Sequence, residues 1–179
     1  MDAFESIVAL FLQEEGYWVR RSVKVPISRN DKRAMGLPSM PTPEVGLVAY
    51  NPRKNKLLLI ESKSFLDSYG VRYQSFVGGR EDSKRYRLFT DKMFQRIVSR
   101  RLLKLYQAKG LALRNTKVKF GLAAGKIYSD DEKRLASHFA KKGWELFTPR
   151  QIKDRIKALA EKPWENNEVV LTAKLILRK

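Results

Sequence analysis

The sequence of 179 residues contains no cysteine and a single histidine, His138. The lack of cysteine excludes disulfides, thiol nucleophiles and thiolate metal sites, and one histidine excludes a site built from several imidazoles. No apolar run approaches the roughly 20 residues that cross a bilayer. The N-terminal segment carries acidic residues and lacks the basic start of a signal peptide. We therefore expect a cytoplasmic protein without a membrane segment.

Acidic residues are also scarce, with 19 Asp and Glu against 37 Lys and Arg, for a formal net charge of +18. Such an excess indicates an anionic polymer as partner, or else a surface whose lysines only maintain solubility. An anionic membrane is disfavoured because no segment is a basic amphipathic helix rich in exposed Trp and Leu. The content of 43% apolar residues indicates a folded chain, which we expect to be one domain over 1–179.

The spacing of apolar residues predicts alternating helices and strands. Helices are expected over 2–15, 84–109, 130–142, 149–160 and 167–177, strands over 17–27, 45–50, 56–62, 117–123 and 144–147, and a loop over 28–43. Both faces of the strands at 45–50 and 56–62 are apolar, so this hairpin should lie in the middle of a sheet. The order predicts an α/β fold, a three-layer α/β/α sandwich with a central mixed sheet.

Acidic residues stand at the open end of this hairpin. Glu61-Ser62-Lys63 closes the second strand and Glu44 opens the first. If the connecting loop is 52–55, Gly46 lies opposite Glu61 and Glu44 opposite Lys63, which places both glutamates and the lysine on one face. A one-residue slip would separate them.

This combination suits metal-assisted hydrolysis of phosphodiesters. Glu44, Glu61 and the carbonyl of Ser62 offer oxygen ligands to Mg²⁺ or Mn²⁺, and Lys63 could orient the attacking water. The alternative is a solvated Glu–Lys pair, although charges at the end of an apolar strand favour a functional site. Glu5 is open to two interpretations, a capping box with Asp2 or a side chain on the core-facing stripe of the first helix.

These residues resemble the PD-(D/E)xK nuclease superfamily, whose pattern is a helix with a glutamate followed by a hairpin carrying P-D and E-x-K. The counterparts here are Glu5, Pro43-Glu44 and Glu61-Ser62-Lys63. The resemblance is to the restriction-endonuclease-like and Holliday-junction-resolvase-like branches. It covers a core of about 2–147 and leaves 148–179 as a C-terminal helical extension. It implies cleavage of duplex or branched DNA with Mg²⁺ or Mn²⁺, the acids serving as ligands and Lys63 lying beside the nucleophilic water.

One position departs from the family pattern, because Gly46 stands where many such nucleases carry the catalytic aspartate. Three explanations remain. Glu44 has taken over the ligand role, the protein binds DNA without cutting it, or the chain carries an inactivating substitution. Glu44 starts about 7 Å further along the strand than residue 46.

A nucleic-acid surface is predicted on the long basic helix, where Lys92, Arg96, Arg100 and Lys104 recur every four residues. This stripe would contact phosphates without reading sequence, or it is a solvated helix face. After the E-x-K strand, Arg72 and Gln74 are of base-reading types, and the neighbouring tyrosines could stack on bases.

The sequence therefore supports a metal-dependent DNA endonuclease or an inactivated form of one. The alternative is a non-catalytic DNA-binding module that has lost its metal site. Binding of RNA or ribosomes has less support, because no aromatic RNA-recognition signature is visible. Cleavage of both strands of a duplex would suggest a homodimer.

Overall fold

A five-stranded mixed sheet forms the centre of the computed structural model, which describes residues 3–78, 81–163 and 165–177. Its strands are β1 (Trp18–Lys24), β2 (Glu44–Asn51), β3 (Lys56–Lys63), β4 (Lys117–Ala124) and β5 (Glu145–Phe147). They lie in the order β1-β2-β3-β4-β5. Neighbours among the first three strands are antiparallel, while β4 is parallel to β3 and β5 to β4. The sheet is therefore open and mixed, as predicted.

Eight α-helices and one short 3₁₀ helix (Glu81–Tyr86) occur in the described residues. The α-helices are α1 (Ala3–Glu14), α2 (Arg29–Ala34), α3 (Gln74–Val77), α4 (Arg87–Thr90), α5 (Lys92–Ala108), α6 (Asp131–Lys142), α7 (Pro149–Ala160) and α8 (Glu168–Leu177). None of the described helices combines the length and apolar character needed to cross a membrane. Asp2, the predicted cap of the first helix, lies outside the described residues.

Helices cover both faces of the sheet, because both faces of the central hairpin are apolar. Leu57 and Leu59 pack with α5 and α6, whereas Leu58 and Ile60 pack with α1 and α7. All four leucine and isoleucine side chains are fully buried. Burial of a side chain of this size contributes about 1.5–3 kcal/mol. The arrangement agrees with the predicted three layers.

Two predictions about local structure are wrong. The expected loop at 28–43 contains α2, because Ser28 and Asp31 form a capping box at its start. The expected single helix over 84–109 is broken at Asp91, whose side chain accepts a hydrogen bond from the Phe94 amide and caps α5. A carboxylate that can bond to the backbone in this way favours a helix start over a helix interior.

Asp31 joins α2 to α5. Its carboxylate is 2.5 Å from Arg101 and 3.3 Å from Arg100, and only 6% of the side chain is exposed. Burial alone would raise the pKa of Asp31, but hydrogen bonds from Ser28 and Arg101 outweigh burial and hold the pKa below its ordinary value. The ionised carboxylate therefore stabilises the folded chain.

We predict that Asp31→Asn lowers the free energy of unfolding by about 2 kcal/mol at pH 7, since it removes charge-assisted hydrogen bonds. The folded pKa lies below the unfolded value of 3.8, so this contribution is complete above that pH and disappears as the pH falls through the folded pKa. Urea denaturation between about pH 2 and pH 7 should show the two stability curves converging in acid. The exposed Asp67 provides the control, because Asp67→Asn should be neutral. A constant difference at every pH would contradict this role for Asp31.

Candidate active site

The central hairpin opens at the end that carries the acidic residues. The predicted register is confirmed where β2 and β3 pair, from Asn51–Lys56 to Leu47–Ile60. The pairing stops there, so the expected pairs of Gly46 with Glu61 and of Glu44 with Lys63 do not form. From this point β2 stays paired with β1, and β3 stays paired with β4 as far as Lys63 and Ala124. The two strands therefore diverge inside the sheet, and we call this place the fork.

Glu44 and Glu61 both line a cavity of about 260 Å³ at the fork. The cavity opens on the face of the sheet that carries α4 and α5, since Leu88 and Phe94 belong to its wall. Glu61 is partly exposed and Glu44 is exposed. The two carboxylates thus share one solvent-accessible space although their strands are no longer paired.

Lys63 lies on the same side of β3 as Glu61, as the alternation of a strand requires. Its Nζ is 2.6 Å from Oε1 of Glu61, and the two side chains are 23% and 24% exposed. A pair that is three-quarters buried loses hydration, so each charge depends on the other or on a bound ligand. The structure therefore brings the E-x-K charges together at the fork.

Gly46 lies under the carboxylate of Glu5. A Cβ atom on residue 46 would overlap Oε1 of Glu5 and would lie 3.6 Å from the carbonyl oxygen of Ile60. The Glu5 carboxylate thus occupies space that the first side-chain atom of an aspartate would need. Because the carboxylate is the end of the flexible Glu5 side chain, a larger residue at position 46 would displace this carboxylate.

Ser62 points away from Glu61, toward the α1 side of the sheet. Its hydroxyl oxygen is buried and has no hydrogen-bond partner among the described residues. In those residues, no group of three or more acidic or histidine side chains is close enough to hold a metal ion. The donors available at the fork are therefore two carboxylates in one cavity, with Glu5 above Gly46.

Basic residues also line the cavity. Lys84, Arg85 and Arg87 belong to its lining together with the two glutamates. Arg87 is held in place by Asp91 at 2.9 Å and by the ring of Phe94, whereas Lys84 and Arg85 are exposed. Cations and carboxylates that line one cavity suit an anionic ligand that brings or shares a metal ion.

The predicted stripe of Lys92, Arg96, Arg100 and Lys104 is exposed along α5. Phe94 and Leu102 face the core, so the stripe lies on the outer side of the helix. Arg100 is partly neutralised by Asp31, which the sequence did not indicate because α2 was read as a loop. The stripe spans about 18 Å, a length that matches about five phosphates of one DNA strand.

Arg72 and Gln74 have different surroundings. Gln74 is exposed at the start of α3. Arg72 contacts the rings of both Tyr69 and Tyr128 and lines a second cavity. Arg85 lines this cavity as well as the one at the fork, so the two cavities are adjacent.

Sequence analysis did not identify Lys84, Arg85 or Tyr128 as site residues. Tyr128 comes shortly after β4, and the carboxyl ends of parallel strands meet at one edge of a sheet, so its place beside β3 could have been inferred. Lys84 and Arg85 had been assigned to a regular helix, where their direction was not determined. The 3₁₀ turn places both at the fork.

A scan of protein-family models and searches of curated proteins and of solved structures found no match to this chain. Function must therefore be argued from the geometry of the fork and of the basic surfaces.

We predict that Ser62→Ala leaves the free energy of unfolding unchanged or raises it by up to about 1 kcal/mol, because it removes a buried hydroxyl without a partner. Thr116→Val is the matched control, since its hydroxyl bonds to Asn55 and to the Leu113 carbonyl and its loss should cost about 1–3 kcal/mol. Urea denaturation of both variants tests this. A marked loss of stability in Ser62→Ala would show that the hydroxyl has a partner in solution.

Proposed function

We propose that the chain is a metal-dependent DNA endonuclease of the PD-(D/E)xK type, with a restriction-endonuclease-like fold. The observation that carries the proposal is the fork, where Glu61 and Lys63 form an ion pair that is three-quarters buried, beside a cavity shared with Glu44. The antiparallel hairpin followed by two parallel strands, with α1 packed beneath it, supports the fold assignment. The basic cavity wall and the exposed stripe on α5 support DNA as substrate.

The residues at the fork fit a hard divalent cation. Mg²⁺ is usually held by one or two carboxylates together with waters and substrate phosphates. Glu44 and Glu61 supply two carboxylates, and the carbonyl of Ser62 adds a neutral oxygen donor on the same strand. When bound, Mg²⁺ or Mn²⁺ would polarise a phosphoryl oxygen and lower the pKa of a water.

The residues of the chain itself perform the positioning. Lys63 is held by Glu61, so its ammonium group can orient a water molecule or stabilise charge on the phosphate. Lys84 and Arg85 line the same cavity and would bind the phosphate through their charges. The carboxylate of Glu5 occupies the space next to Gly46, on the face of the sheet that α1 covers.

The second candidate function is a DNA-binding module without catalysis, and Gly46 favours it. Residue 46 brings no carboxylate, and the described residues contain no group of three acidic side chains close enough to hold a metal. The affinity of an oxygen site for a divalent cation falls as carboxylates are removed. The two functions differ in metal binding and cleavage and agree in DNA binding.

We predict that the chain nicks plasmid DNA slowly with Mg²⁺ or Mn²⁺, that Gly46→Asp accelerates cleavage, and that Lys63→Ala slows it by about 100-fold or more. Glu61→Gln should also abolish binding of Mn²⁺ measured by calorimetry without DNA. Cleavage by neither the natural chain nor Gly46→Asp, with DNA binding intact, would favour the non-catalytic module.

The controls for this experiment keep the fold and change nothing at the cavity. Ser62→Ala retains the carbonyl of residue 62 and should retain Mn²⁺ binding. Glu161→Gln removes an exposed carboxylate after α7 and should change neither cleavage nor metal binding. A loss of Mn²⁺ binding in Glu161→Gln equal to that in Glu61→Gln would show that the ion does not bind at the fork.

We predict that replacing Lys92, Arg96 and Lys104 by Gln weakens duplex binding and flattens its salt dependence. Each lost phosphate contact should reduce the slope of log K against log salt by about 0.9. Fluorescence anisotropy between 50 and 300 mM salt measures this slope.

The matched control removes three exposed cations from α7, on the opposite layer of the fold. Replacing Arg150, Lys153 and Lys157 by Gln makes the same change in net charge away from α5. An equal flattening in both triple variants would show that the stripe is not the DNA contact and that only total charge matters.

A further inference from the structure

Two exposed tyrosines flank Arg72 beyond the carboxyl ends of β3 and β4. The guanidinium carbon of Arg72 lies 5.1 Å from the ring centre of Tyr69 and 4.6 Å from that of Tyr128. The two rings are 6.4 Å apart and nearly perpendicular, at 67°. Tyr69 is 72% exposed and Tyr128 41% exposed. We call these three residues the Tyr–Arg–Tyr cluster.

The backbone holds this cluster in place. Val71 and Ile127 form a parallel bridge that continues the pairing of β3 with β4. Two hydrogen bonds fix it, from the Val71 amide to the Lys126 carbonyl at 3.0 Å and from the Tyr128 amide to the Val71 carbonyl at 2.9 Å. Gly70 allows the two backbone segments to come this close. A Cβ atom on residue 70 would lie only 2.9 Å from the carbonyl oxygen of Lys126, and the φ of Gly70 is +87°, a value that favours glycine. Residues 72 and 128 are therefore side by side before any ligand binds.

The contacts within the cluster do not explain why two aromatic rings remain exposed to solvent. An exposed cation–π contact contributes only about 0.5–1 kcal/mol, and Tyr69 keeps most of its surface in water. Arg72 has to share its guanidinium between the two rings, which leaves aromatic surface free on both. Exposed aromatic faces beside an arginine are the chemistry that binds unpaired nucleobases by stacking.

The location of the cluster connects it to the fork. Arg85 lines the cavity beside Tyr69 and Arg72 as well as the cavity of Glu44 and Glu61. A ligand that fills both cavities must offer a phosphate at one and a planar ring at the other. A nucleic-acid strand has this alternation, but in a duplex the faces of its bases are covered by their neighbours. The free rings therefore select a strand whose bases are unstacked.

We infer that the Tyr–Arg–Tyr cluster binds an unpaired base of a DNA strand whose phosphate lies at the fork. This inference names the substrate class of the proposed nuclease, DNA with a single-stranded or branched segment, and to that extent it rests on the proposed function.

The test measures binding in EDTA, where no cleavage occurs, with three probes: a mixed-sequence single strand containing 2-aminopurine, a blunt duplex, and a duplex with a single-stranded arm. Replacing Tyr69 and Tyr128 together by Ala should weaken binding of the single strand and the armed duplex about ten-fold or more. Replacing both by Phe should preserve it, and blunt duplex binding should not change. The 2-aminopurine fluorescence should be quenched only when a ring is present.

Trp18 provides the matched control, as an exposed aromatic residue on the far edge strand β1. Trp18→Ala should leave all three affinities unchanged. Equal losses for blunt and armed duplexes in the Tyr69 and Tyr128 double Ala variant, or no loss at all, would overturn the inference. Tighter binding of RNA than of DNA of the same sequence would overturn the assignment to DNA.

Failure of this inference and failure of the proposed function give different results. If the natural chain cuts DNA in a manner that requires Glu61 but the tyrosines do not affect binding of the single strand, only the cluster assignment is wrong. If the tyrosines bind the single strand but no variant cuts DNA, the cluster assignment holds and the endonuclease proposal is wrong.

Discussion

The divergence of β2 and β3 is the constraint on which the rest of the site depends. A strand inside a sheet has to satisfy its backbone groups on both sides. Beyond Leu47 and Ile60 each strand keeps only its outer partner, so β2 follows β1 and β3 follows β4. A solvent-accessible cavity lies at this gap. Glu61 and Lys63 keep 24% and 23% of their side chains exposed there and pair with each other.

The pairing of the hairpin was predictable, and the point at which it opens was not. A short turn between two apolar strands determines the register, and the structure has the predicted pairs up to Leu47 and Ile60. The pattern of apolar side chains along a strand indicates which residues are buried. It says little about which neighbouring strand a backbone amide bonds to. Gly46 was the available signal, since a glycine in a strand indicates a bulge or a close approach. It was interpreted only as a missing acid, whereas the structure also shows a carboxylate from α1 in that space.

The remaining differences come from contacts between residues that are distant in the sequence. Asp31 turns a polar segment into a capped helix and then pairs with Arg100 and Arg101, 69 residues or more away. Tyr128 reaches Arg72 through a bridge between two loops. Local propensity describes each segment separately, so neither pairing had a local signal. The helices and strands with a strong apolar period, such as α6 and β4, needed no such contact and were predicted within a residue or two.

Charge balance links the missing acid to the basic surroundings of the fork. Lys63 already neutralises Glu61, and Glu44 lines the same cavity as Lys84 and Arg85. With Arg87 paired to Asp91, the cations Lys63, Lys84 and Arg85 outnumber the two carboxylates, so the site has an excess of positive charge. On the proposed function, this excess makes metal ion and substrate interdependent. A phosphate that pairs with Lys84 and Arg85 frees Glu44 and supplies further oxygen ligands. By linkage, each then raises the affinity for the other, so the chain binds the metal ion more tightly in the presence of DNA.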